Sequence, residues 1–204
     1  MNPPISSILD YFEELWTIKS IEIDQSWLEQ YEAEYKEIQA SRKVTEYQGA
    51  TIIRNISLKV ANQLAQKAQA YWIVVTSPEN FKICLKNGLW GVNRQIQTIK
   101  RVKKGDILTF YIKDWRQFKG IYYVDSDHPY YDETRVWPDK LYPWRIRIRP
   151  VSQSGSIKAN NIIKDLEFIT NQSNWGAYSQ REMIKISYND FQRIISKMSQ
   201  TQLS

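Results

Sequence analysis

Cysteine and histidine are almost missing from this chain: Cys84 and His128 stand alone of their kinds among 204 residues. One cysteine excludes an internal disulfide and a cysteine-rich metal cluster. One histidine leaves a general base with no second imidazole to work beside. Glycine and proline, seven of each, are too few for a fibrous or low-complexity chain. No glycine-rich phosphate loop occurs, which argues against nucleotide hydrolysis. Apolar runs such as Ile73-Val74-Val75 are far shorter than the ~18 residues that span a bilayer. The start, Met1-Asn2-Pro3-Pro4, lacks a basic stretch followed by an apolar core, so no signal peptide is read there. The expectation is a cytoplasmic chain with no membrane partner, no cofactor and no metal.

What is present is ordinary for a folded protein, at 42% hydrophobic and 25% charged residues. The net charge of +6 is distributed unevenly. Residues 1–40 carry two basic and nine acidic side chains, a balance of −7. Residues 41–70 hold five basic residues against Glu46, and residues 71–204 hold 21 basic against 12 acidic, a balance of +9. Two modules with different partners follow from this asymmetry. The basic part is suited to phosphate backbones, through salt-sensitive counterion release.

The N-terminal third reads as helical. Ser6 or Ser7 caps a helix to about Ile18, and a second runs from about Asp24 to Ala40, with Trp27, Leu28, Tyr31, Tyr35 and Ile38 on one face. That stripe reads as a helix–helix seam in region 1–43. Residues 44–70 are a linker or a helical extension, with Ile56 to Gln69 at helical spacing. At Tyr71 the pattern changes to a buried strand, Tyr71 to Thr76. Ser77 and Pro78 then open a helix to about Lys86, closed by Gly88. Strands are expected at Ile107 to Lys113, Gly120 to Val124 and Trp144 to Val151. Helices are expected at about Asn160 to Ile169 and Tyr188 to Met198, with residues 199–204 as a tail. Short helices between β-branched strands suggest one curved sheet, an α+β arrangement and not a doubly wound one.

In Trp144-Arg145-Ile146-Arg147-Ile148-Arg149, alternation puts three arginines on one face and three apolar residues on the other. Arg145, Arg147 and Arg149 are candidate phosphate contacts. Arg94 and the cluster Lys100, Arg101, Lys103 and Lys104 are a second such set. Of the eight tryptophans, Trp72 and Trp144 fall within strands and read as core, and Trp175 reads as helix packing. Trp90 and Trp137 stand in loops flanked by Gly, Asn or Pro, where functional side chains concentrate. Trp115 lies at a hairpin tip.

Seven strings in order resemble the EVE domain: Tyr71 to Ser77, Leu89 to Val92, Val102 to Asp106, Gly120 to Val124, Pro129 to Asp132, Tyr142 to Ile148, and Asp165 to Ile169. They cover residues 71–198. EVE domains belong to the PUA-like superfamily and are related to YTH domains, which read methylated adenine in RNA. The resemblance implies a PUA-like, barrel-like curved sheet with surrounding helices, carrying the N-terminal helical extension. It also implies an aromatic pocket for a base, formed by Trp90 and Trp137, with Leu141 or Tyr142 completing the cage. Thr76 and Ser77 sit where the first strand ends, and Asn80 or Asn93 offers an amide to a base edge. Gly91 stands where YTH domains carry a small hydroxyl residue. EVE domains further resemble the recognition modules of modification-dependent restriction systems, which makes the acidic N-terminal helices a candidate protein-partner surface.

Enzyme readings have less support. Cys84 lies inside an amphipathic helix and reads as a small core residue. Asp125, Asp127, Asp132 and Glu133 form a set able in principle to hold Mg²⁺ for phosphodiester cleavage, as a nuclease of the PUA-like group would. Their other reading is turn formation. A binder of a free planar ligand, such as a nucleoside, is the remaining alternative.

Overall fold

Tyr71–Thr76 is buried along its whole length, which requires both of its faces to be covered. This strand, β1, lies inside a seven-stranded sheet in a computed structural model that describes residues 65–200, except for the side chains of 152–154, 173–174 and 199–200. The helices expected over 6–18 and 24–40, and most of that over 56–69, lie outside the described residues. The chain divides into two compact units between Lys67 and Ala68, and the sheet belongs to the second.

After β1 come α1 (Pro78–Asn87), β2 (Leu89–Val92), β3 (Ile107–Ile112) and β4 (Gln117–Val124). Next are β5 (Tyr130–Tyr131), β6 (Trp144–Lys158), β7 (Met183–Ile186) and α2 (Tyr188–Gln200). The strand order is β2-β6-β4-β3-β1-β7, with β5 on β6. β1 and β3 are parallel, joined by the crossover that holds α1 and β2, and the remaining pairs are antiparallel. α1 begins and ends on local chemistry. Ser77 Oγ accepts the Asn80 N–H at 3.2 Å, Pro78 takes a position with no hydrogen bond to lose, and Gly88 leaves the helix at φ +60°.

Alternation along the strands sends Trp72, Val74, Leu108, Phe110, Tyr122, Val124, Ile146 and Ile148 into one core with Phe81 and Cys84 of α1. The opposite face is closed by α2, whose Phe191 ring lies 5.3 Å from that of Tyr71. Sheet curvature comes from β-bulges. The register of β4 slips against β6 between Lys119 and Ile121, and again between Ile121 and Tyr122. A slipped residue bends the strand and increases its twist, which curls an open sheet toward a half-barrel. The curved α+β sheet is therefore the one expected.

Three local expectations are corrected, on Trp90, on the strand from Trp144 and on the helix at Asn160 to Ile169. Trp90 is not in a loop but in β2, opposite Ile146. The strand from Trp144 continues to Lys158, well past Val151. The helix expected at Asn160 to Ile169 is replaced by two 3₁₀ turns, Ala159–Asn161 and Ile163–Asp165. There the buried Asp190 carboxylate accepts the N–H groups of Glu167 and Phe168 at 2.7 and 3.1 Å, fixing a turn where a helix would need those donors itself. Trp175 packs from a helix as expected, a 3₁₀ one over Gln172–Gln180, edge-on to Tyr111 at 5.0 Å.

Gly120 sits at the bulge with φ +68°, and a Cβ there would lie 2.6 Å from the Tyr122 ring. Gly120→Ala is expected to lower stability by about 2–4 kcal/mol, from left-handed strain plus displacement of a buried ring. Urea denaturation followed by circular dichroism checks this; an unchanged midpoint would contradict it.

Candidate functional site

The end of β1, the first turns of α1 and the start of β2 meet around a cavity of about 270 Å³. Val75, Thr76 and Ser77 come from β1 and its end, Asn80 and Cys84 from α1, and Trp90 and Gly91 from β2. Trp137, Asp139, Lys140 and Tyr142 come from the loop before β6, and Lys113 and Glu182 complete the rim. At roughly 30 Å³ per water, this is room for about nine waters, the scale of one planar heterocycle.

Of the expected pocket residues, the structure brings Thr76, Ser77, Asn80, Trp90, Gly91, Trp137 and Tyr142 to this one cavity. Both tryptophans are nearly buried, at 3% and 2% exposure, so each offers the cavity only part of its ring. Two expected residues lie elsewhere. Leu141 points to solvent at 38% exposure, because the adjacent Tyr142 takes the inward position. Asn93 lines a different recess, beyond the end of β2.

Polar groups in the cavity are already organised. The Tyr142 hydroxyl donates to Asp139 Oδ2 at 2.7 Å, and Asn80 Nδ2 reaches both Asp139 Oδ2 and the Tyr142 oxygen at 3.2 and 3.3 Å. Desolvation opposes ionisation of Asp139, but the bonds from Tyr142, Asn80 and backbone N–H groups outweigh it and hold the carboxyl below its ordinary range. Tyr142 is raised, by desolvation first and by the Asp139 carboxylate next, so it remains a donor. Burial pushes the Cys84 thiol up to about 12, against the smaller opposing pull of a hydrogen bond with Trp137. A thiol so held is a lining atom, not a nucleophile.

One expected phosphate contact has another task. Arg145 is 1% exposed, because residues 132–142 fold over its end of β6. Its guanidinium pairs with Asp132 at 2.7 Å, donates through Nε to the Tyr142 carbonyl at 2.9 Å and through another nitrogen to the Thr134 carbonyl. It also lies over the Trp137 ring, 5.5 Å from its centroid. No surface is left for a phosphate. Gly91 is part of the same arrangement: a Cβ there would come within 3.1–3.3 Å of the Trp144 and Tyr142 carbonyl oxygens and Arg145 Cγ. A side chain here would require those neighbours to give by a few tenths of an ångström.

The other basic candidates are exposed. Arg149 is paired with Asp125 at 2.8 Å and Lys104 with Asp127 at 3.7 Å. Arg147 lies over the Tyr130 ring at 6.0 Å. Arg94, Lys100, Arg101 and Lys103 make no ion pair among the described residues. The four acids considered for Mg²⁺ are dispersed among separate partners. Asp125, Asp127 and Asp132 face Arg149, Lys104 and Arg145, and Glu133 accepts from Tyr131. Among the described residues no group of three potential metal ligands is gathered. No helix among them is long and apolar enough to cross a membrane.

The lining residues not expected from sequence are Val75, Cys84, Lys113, Asp139, Lys140 and Glu182. Asp139 stands three residues before Tyr142 in a loop whose path a single sequence does not reveal. Glu182 is distant in sequence from every other lining residue, and arrives through the pairing of β7 with β1, which its carbonyl extends by accepting the Val75 N–H at 2.9 Å.

The family model for the EVE domain matches residues 70–197. This chain belongs to the EVE domain family. A UPF0310 protein of Pyrococcus abyssi is 34% identical over 141 residues, 62% of this chain and 98% of that protein. One of Pyrococcus horikoshii is 30% identical over 144 residues, covering 61% and 98%. The Mmi1 YTH domain structure superposes with a TM-score of 0.50 at 15% identity, over 66% of this chain and 77% of that one, a likeness of fold.

Two outcomes are expected of the EVE pocket. Lysine has no planar fork to serve Asp132 and two carbonyls at once. Arg145→Lys is therefore expected to lose amide hydrogen-exchange protection in residues 132–142 while the β1–β3 amides keep theirs; equal protection would contradict the assignment. Asp132 is also held low, first by the Thr134 backbone N–H and side chain, with Arg145 assisting. A depressed carboxyl stabilises the fold above its unfolded value near 3.8 and loses that contribution as pH falls through the lower folded value. The Trp137 signal, taken as the fluorescence difference between wild type and Trp137→Phe, should thus be constant from pH 8 to 5 and change only below about pH 4; a transition of that difference near pH 6 would contradict it.

Proposed function

We propose that this EVE domain is a nucleic-acid reader that holds one base, modified for example by methylation, in the pocket lined by Trp90 and Trp137. The observation that carries the reading is the joining of two tryptophans, a tyrosine and an ordered amide–carboxylate–phenol set around one base-sized cavity. Aromatic planes attract the flat faces of a base, and such stacking is worth roughly 1–3 kcal/mol per base. The ionised Asp139 accepts N–H groups, so a base edge that presents donors suits it. A methyl group that fills remaining space adds about 0.8 kcal/mol when fully buried. The +9 balance of residues 71–204 favours a polyanionic partner.

In this reading the domain catalyses nothing. Cys84 is protonated and buried, and the acids of residues 125–133 are engaged with cations and a phenol. A reader without catalysis would serve as the recognition module of a modification-dependent restriction or defence system. The acidic residues 1–40 would then meet a protein partner that supplies motor or nuclease.

Titration of intrinsic fluorescence with single-stranded DNA and RNA oligonucleotides, unmodified and methylated at cytosine or adenine, tests the reading. Trp137→Ala and Asp139→Asn are each expected to weaken binding of the preferred oligonucleotide by about tenfold or more. Asp139→Asn keeps volume and is the variant that still folds if a buried tryptophan cannot be removed. Equal affinity of wild type and both variants would overturn the proposal.

A further inference from the structure

A second recess of about 790 Å³ lies beside the pocket and is nearly three times its volume. One wall is the stretch after β2, with Asn93, Arg94, Thr98 and Arg101. The other is β7 and the residues leading into it, with Arg181 and Lys185, and buried Trp72 and Met183 form the base. The lining holds four cations and one acid, Glu182.

These cations are available. Arg94 and Arg101 are exposed and make no ion pair among the described residues. Arg181 rests over the Tyr178 ring at 5.2 Å and Lys185 over Trp72 at 5.8 Å, contacts that orient a cation without neutralising it. Lys185 alone also feels a carboxyl, the buried Asp106. Positive side chains facing one another across a concavity raise the local anion concentration.

The recess and the pocket adjoin at two points. Glu182 lines both. Gly91 lines the pocket and Asn93 the recess, and two residues of chain span at most ~7 Å. Their electrostatics differ in kind. The pocket sets Asp139 and Glu182 against Lys113 and Lys140 and is balanced in charge, whereas the recess sets four cations against Glu182 alone. A single small anion would fill little of 790 Å³.

We propose that this recess is a groove for the sugar–phosphate backbone adjoining the captured base. The strand leaves the pocket past Glu182 and runs between Arg94 and Arg101 on one side and Arg181 and Lys185 on the other. Phosphate contact thus passes to two residues that no string in the sequence marked, Arg181 and Lys185, while Arg147 and Arg149 stand outside the groove. The proposal rests on the base-pocket reading and adds a direction to it.

The test measures a labelled single-stranded oligonucleotide of about twelve residues by fluorescence polarisation, and an uncharged nucleoside carrying the preferred base by intrinsic fluorescence. It compares wild type, the triple variant Arg94→Gln, Arg101→Gln, Arg181→Gln, the single variant Gln180→Lys, and Asp139→Asn. The triple variant is expected to bind the oligonucleotide roughly tenfold or more weaker at low salt, with a log–log salt slope shallower by about 2, since each phosphate contact on a single strand contributes ~0.7. Its nucleoside affinity should equal that of wild type. Gln180→Lys adds a cation to an exposed groove position and should tighten the oligonucleotide alone, an outcome that misfolding cannot imitate.

If the triple variant keeps the wild-type affinity and slope while Asp139→Asn weakens both ligands, the groove is overturned and the base pocket stands. If Asp139→Asn leaves both ligands unaffected, the base-pocket reading falls and the shared strand path falls with it. Displacement of the oligonucleotide by millimolar inorganic phosphate, with no dependence on oligonucleotide length, would overturn the strand path in favour of a small-anion site.

Discussion

A single buried guanidinium organises the pocket end of this EVE domain. Arg145 leaves β6 facing inward and gathers Asp132, the Thr134 and Tyr142 carbonyls and the Trp137 ring around itself. These partners belong to a loop with little regular structure of its own, apart from the two-residue β5. Without a central donor its carbonyls would need other partners, since buried backbone polar groups left unsatisfied are costly. The arginine supplies several donors in one rigid plane, a geometry that lysine does not share. Trp137, Asp139 and Tyr142 owe their positions to this packing.

The same constraint reaches across the sheet. Gly91 is opposite Arg145 in the β2–β6 ladder and leaves the space that the loop carbonyls and the arginine stem occupy. Trp90, one residue before, is thereby turned toward the core and the cavity. From the other side, Ser77 caps α1 and directs Asn80 at Asp139 and Tyr142. A helix cap, a missing Cβ and a buried cation converge on one small volume. Beside it, the cationic recess depends on a different juxtaposition, that of the stretch after β2 with the approach to β7.

Much of the fold was legible in the sequence because its signals are local. Ser77-Pro78 and Gly88 mark the ends of α1 through hydrogen bonds and a left-handed φ that act within a few residues. The β-branched and aromatic run at Tyr71 to Thr76 announces a buried strand, and the spacing from Tyr188 onward announces α2. Where a distant group intervened, the local reading failed. Asp190 captured the Glu167 and Phe168 amides and replaced a helix with turns. The arginine alternation in β6 correctly put Arg147 and Arg149 outside, but a loop folded over Arg145.

The sequence by itself therefore determined a basic, EVE-like domain beginning near Tyr71, its curved α+β sheet, and a short set of candidate pocket residues. Hydrophobic periodicity, caps and charge balance suffice for that, since each is a property of neighbours along the chain. Only the tertiary structure decided that Trp90 and Trp137 share a cavity with Asp139 and Glu182, that Leu141 and Asn93 do not, and that Arg145 is a core peg. It also brought Arg181 and Lys185 to one recess with Arg94 and Arg101. Those outcomes depend on sheet curvature, a close approach at Gly91 and the meeting of segments about 90 positions apart, as with those of Arg94 and Arg181 around one recess. Such contacts are fixed by packing, which one sequence read along its length does not contain.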